Sequence, residues 1–108
     1  AGSPLMFVGW LQANAARLTD PKQPLPTLDQ LADALPDDLL ARLRELVAQG
    51  EAEEAVVAAL LHAFLQHGPK CRLPRNASRN IHARFQKQVS ATLAAAVEPL
   101  VKTWCATG

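Results

Sequence analysis

Apolar residues recur along the chain at spacings of three and four, the period of an α-helix with one face turned inward. Phe7, Trp10, Leu11, Ala15 and Leu18 share one broad face of a first helix. That helix starts at Ser3-Pro4, where serine can cap and proline loses no helical hydrogen bond, and it stops at Asp20-Pro21. Residues 1–3 read as a flexible lead-in. Pro21, Pro24 and Pro26 make residues 20–26 an extended loop rather than helix. Thr27-Leu28-Asp29-Gln30 fits the capping box, in which two side chains satisfy free backbone donors, and predicts a short helix with Leu28, Leu31 and Leu35 inward.

Pro36-Asp37-Asp38 starts a third helix with acids where the helix dipole favours them, and Leu39, Leu40, Leu43, Leu46 and Val47 form its stripe. Gly50 suits the residue just past its end. Glu51, Glu53 and Glu54 open a fourth helix reaching about His67; from Ala55 to Leu61 it has no polar residue, which places it at the centre of the fold. Gly68-Pro69 ends it, and residues 68–77 are a second proline-containing loop. Asn76 or Ser78 can cap the last and longest helix, whose stripe runs Ile81, Phe85, Val89, Leu93, Val97, Leu100 and Trp104. Pro99 lies inside it and is expected to kink or split it. The reading is an all-α, compact antiparallel bundle of five helices, or six if the last divides near Pro99, forming one domain over residues 1–108.

Composition excludes the competing classes. Alanine (20) and leucine (17) dominate the apolar set, while valine and isoleucine together number 8 and tyrosine is absent. Sheets are built from the residues that are scarce here. No apolar run reaches the roughly 18 residues a membrane span needs. No signal-peptide pattern opens the chain, so the expected setting is intracellular, cytoplasmic or nuclear. A secreted form would draw on a Cys71–Cys105 disulfide and on the glycosylation sequence Asn76-Ala77-Ser78.

The net charge of +1 conceals a segregated molecule. Residues 19–54 hold nine acids (Asp20, Asp29, Asp33, Asp37, Asp38, Glu45, Glu51, Glu53, Glu54) against Lys22, Arg42 and Arg44. Residues 55–97 hold Lys70, Arg72, Arg75, Arg79, Arg84 and Lys87 and no acid at all. Arg79, Asn80, Arg84 and Lys87 are placed away from the apolar stripe, so with the loop cations they make one positive surface. Three fates are open to it: neutralisation by the acidic helices, docking of an acidic protein segment or a second copy, and binding of nucleic-acid phosphates. The near-zero net charge and the core-like positions of all five aromatics weigh against nucleic acid. Thr27 to Leu35 resembles the first helix of a helix-turn-helix, but Pro36-Asp37-Asp38 would put acids at the start of the recognition helix.

Sites for chemistry are sparse. His62, His67 and Cys71 lie near one another in sequence, but His62 and His67 fall about 140° apart on a helix, and a zinc site would need a fourth ligand, for which His82 and Cys105 are the candidates. Cys71 between Lys70 and Arg72 would be a reactive thiol if exposed, but no orienting partner or oxyanion hole accompanies it. Asp37-Asp38 and Glu53-Glu54 sit at helix starts, where the dipole accounts for them. Neither a catalytic residue, a metal, a cofactor nor a small-molecule substrate is expected. The ending Leu100-Val101-Lys102-Thr103-Trp104 is similar to the L-V-x-x-W close of the transcription elongation factor N-terminal bundle, over those five residues alone; no family is assigned. The expected function is a non-enzymatic helical interaction or regulatory module docking an acidic partner on Lys70, Arg72, Arg75, Arg79, Arg84 and Lys87. The alternatives are a nucleic-acid accessory domain using the same surface and a packing domain of a larger assembly.

Overall fold

In the computed structural model, which describes residues 2–107, the chain is all-helical, with no strand among the described residues. Helix α1 (Pro4–Ala13) begins as its sequence dictates: Ser3 accepts a hydrogen bond from the Met6 amide at 3.2 Å and Pro4 occupies the first turn. It does not continue to Thr19. At Asn14 the backbone leaves helical geometry and the side-chain amide donates to the Trp10 carbonyl at 2.8 Å, competing with the helical ladder. A separate short helix, α2 (Ala15–Thr19), follows.

Thr27 and Gln30 form the expected capping box ahead of α3 (Leu28–Leu31), at 3.2 and 3.0 Å. A 3₁₀ turn (Ala32–Ala34) leads to α4 (Asp37–Ala48). That helix closes on Gly50, whose φ of +110° supplies the left-handed residue. There the Gly50 amide reaches the Val47 carbonyl and the Glu51 amide reaches Leu46, the paired bonds of a Schellman ending.

Helix α5 (Glu53–His67) is the axis of the fold. Every residue from Ala55 to Leu61 is buried, as are Ala63 and Phe64. It packs against α6 (Arg75–Gln88) and α7 (Ala91–Thr107), while α2 packs against α6. Phe7, Phe64 and Trp104 meet edge to face or tilted, with ring centres 4.7 to 5.5 Å apart, and tie α1, α5 and α7 together. One cluster of buried side chains draws on every α-helix.

The last expected helix is two. Its break lies at Val89 and Ser90, where Val89 is extended and the Ser90 hydroxyl accepts from the Leu93 amide at 3.1 Å, capping α7. Pro99 does not divide it. That residue sits on the exposed side of a helix that runs through it, where a missing donor and a crowded turn can face solvent. Seven α-helices therefore stand, among the described residues, where five or six were expected, the extra ones arising at Asn14 and at Val89-Ser90.

Candidate docking surface

The six cations expected on one surface divide into two groups. Arg84 is not on it. Its residue is 8% exposed, and its guanidinium closes the long proline loop onto α5 and α6. Nη1 meets the Glu54 carboxylate at 3.2 Å, Nε donates to Asn80 Oδ1 at 3.3 Å, and Nη2 donates to the carbonyls of Asp20, Pro21 (2.8 Å) and Gln23. Asn80 is buried beside it and donates to the Leu18 carbonyl at 2.7 Å. Arginine's planar fork suits this role, because it can serve a carboxylate and several carbonyls from fixed positions. The connector over 20–26, with three prolines and therefore few amides of its own, leaves carbonyls that need such a donor.

The helical wheel contains the signal for this placement. At about 100° per residue, Arg84 lies only about 60° from Ile81 and about 20° from Ala77, and both of those side chains are fully buried. Its expected position opposite the stripe is corrected accordingly.

Lys70, Arg72, Arg75, Arg79 and Lys87 form the other group. All five are exposed, and none makes an ion pair among the described residues. Arg75 and Arg79 are four residues apart on α6 and share its solvent face. Lys70 and Arg72 lie in the loop leading into that helix, and Lys87 stands near its far end, where it borders a small cavity with Arg84, Glu54 and Gln88. The acids of the other half are largely occupied close to home. Arg44 meets Asp29 at 3.0 Å and Arg42 meets Glu45 at 3.6 Å. Glu53 accepts from the Leu28 amide at 3.0 Å, which caps α3 from another helix, and Asp20 accepts from the Lys22 amide. Of the expected helix-start acids, Glu53 and Glu54 thus carry tertiary contacts that dipole complementation did not foretell.

The remaining candidates for chemistry are placed as follows. Cys71 and Cys105 are both free and half-buried, and burial pushes each thiol up from its ordinary value. Lys70 and Arg72 do not activate Cys71. His62 and His82 meet across α5 and α6, with Nε2 and Nδ1 3.3 Å apart, and His67 approaches Glu98 at 3.7 Å. No described helix is long and apolar enough to cross a membrane. Beyond the charges, Leu5 and Met6 are exposed on α1, and an open groove of about 650 Å³ lies between α4 and α7, walled by Leu39, Ala41, Leu100 and Trp104.

Neither a family model, nor a curated protein, nor a solved structure matches the chain.

Proposed function

We propose that the chain is a non-enzymatic helical interaction or regulatory module that docks an acidic partner on Lys70, Arg72, Arg75, Arg79 and Lys87. Arg84 is excluded from that surface by its burial. One observation carries the proposal: the five cations are solvent-facing and unpaired among the described residues, within a stretch from residue 55 to 97 that contains no acid. The fold has carboxylates enough to clasp them, yet among the described residues Glu54 and Glu98 alone form ion pairs with that half of the chain, with Arg84 and His67. Unpaired like charges repel one another, and their attraction to a complementary surface steers encounter and fixes register. The partner is an acidic protein segment or the acidic half of a second copy. The intracellular setting, cytoplasmic or nuclear, belongs to the same proposal, and two free thiols suit it.

The alternative with a specific observation behind it is packing inside a larger assembly, for which the exposed Leu5 and Met6 and the α4–α7 groove are the contacts. Nucleic-acid binding would use the same cations as the proposed docking. A titration with a glutamate-rich peptide and with single-stranded and duplex oligonucleotides, at about 50 and 200 mM salt, separates the three. Docking predicts saturable peptide binding that exceeds oligonucleotide binding at both salts. Oligonucleotide binding with a steep salt slope would assign the surface to phosphates, and binding of neither would leave packing.

A further inference from the structure

We infer that His62 and His82 form a site for one divalent transition-metal ion of the zinc class, held by two imidazoles from different helices with water completing its shell. The sequence separates these residues by a whole loop and helix turn, and the packing of α6 on α5 brings them together. Their facing nitrogens, His62 Nε2 and His82 Nδ1, are 3.3 Å apart, with ring centres 5.4 Å apart and the rings tilted by 30°. Two nitrogens bound to one tetrahedral zinc at about 2.0–2.1 Å lie about 3.3–3.4 Å from each other. The spacing that serves a hydrogen bond between the rings is therefore also the edge of a tetrahedral metal site.

One ligand is already held. The His62 ring stacks on Phe85 at 3.7 Å with the planes 8° apart, and it is half-buried, so little rotational freedom is lost when it binds an ion. The other is adjustable, because His82 is exposed and can turn to converge on the metal. Neutral imidazole is the form that binds a metal, through the lone pair of its unprotonated nitrogen. In the neutral pair one of the two facing nitrogens carries a proton. On binding, that proton moves to the outer nitrogen of the same ring, by way of water at the exposed His82, so both facing lone pairs become available and no net proton need be released. Among the described residues no third histidine, cysteine or carboxylate closes with the pair, so the ion keeps open positions for water or an exogenous ligand. Imidazole donors suit zinc, copper and nickel, and do not suit calcium or magnesium.

Equilibrium dialysis and thermal denaturation of the full chain with zinc chloride near neutral pH test this. One zinc per chain is expected, with a melting temperature that climbs with the logarithm of zinc concentration once binding saturates. His82→Ala, at an exposed position, should fold normally and lose both effects; His67→Ala should keep both. Failure of the wild type to bind, retention of binding in His82→Ala, or its loss in His67→Ala would each overturn the assignment.

Discussion

Arg84 reaches across the fold to Glu54, guanidinium to carboxylate at 3.2 Å, and its remaining donors close on the loop carbonyls of Asp20, Pro21 and Gln23. The arginine is buried while the glutamate is partly open to water. Removing the arginine strands several acceptors at once, whereas neutralising the glutamate leaves the carbonyl contacts intact. Arg84→Ala should therefore cost about 3 kcal/mol of stability, and Glu54→Gln about 1 kcal/mol, measured by urea denaturation. Equal costs for the two would show that the ion pair, not the loop contacts, dominates.

How far the sequence revealed this arrangement depends on the range of the forces involved. Local signals were legible: Ser3-Pro4, the Thr27/Gln30 box, the Gly50 ending and the apolar run of α5 all appear as the sequence implies, because each is decided within one or two turns. The seven-residue stripe from Ile81 to Trp104 has a continuous helical period, and yet Val89 is extended. Periodicity reports which side chains face inward, and a helix that breaks and restarts around the same core can preserve it. Asn14 hides its break for a similar reason, since the bond that competes with the ladder is made by its own side chain. Of the docking surface, five cations stand exposed as expected, whereas Arg84 finds partners more than 60 residues away in sequence and about 30 away at Glu54. Its angle on the helix, close to Ala77 and Ile81, signals that Arg84 is buried, but the identity of those distant partners carries no local signature.

Gly2 has φ +84°, and a Cβ there would lie 2.4 Å from Pro36 N and 2.6 Å from Leu35 C, both backbone atoms that cannot step aside. Its carbonyl accepts from the Trp104 indole at 2.8 Å. Gly2→Ala should lift the start of α1, weaken that hydrogen bond and shift tryptophan fluorescence to the red, with a loss of about 1–3 kcal/mol. Gly9→Ala makes the contrast. Nothing lies within 4 Å of a Cβ at that exposed helical site, so a gain of up to about 1 kcal/mol is expected from helix propensity.

Pro99 occupies the interior of α7 on its exposed side. It removes one backbone donor from the ladder and crowds the preceding turn, while contributing little to the core. Pro99→Ala should raise stability by about 1–3 kcal/mol and increase helical circular dichroism slightly. A loss of stability would mean that the proline shapes the packing of α7 on α5.

His62 has its proton affinity lowered, first by burial and then by the neighbouring His82, with Glu98 acting in the opposite sense and His67 adding to the lowering. A histidine that resists protonation when folded binds more protons unfolded, so stability rises with pH through the interval between its folded value and the ordinary 6.5. Melting temperature should be flat above that value and fall below it, and His62→Gln should flatten the decline. A decline of the same size in His62→Gln would assign it to other groups.

The docking surface itself is tested most directly by reversing charge where no fold contact is lost. Arg75 and Arg79 are exposed and unpaired among the described residues, so Arg75→Glu combined with Arg79→Glu should leave the melting temperature within a few degrees of wild type. Isothermal titration of wild type and double variant with the same glutamate-rich peptide then measures the surface alone. Saturable binding that the double reversal abolishes is the predicted result; peptide affinity unchanged by the reversal would contradict docking at this face.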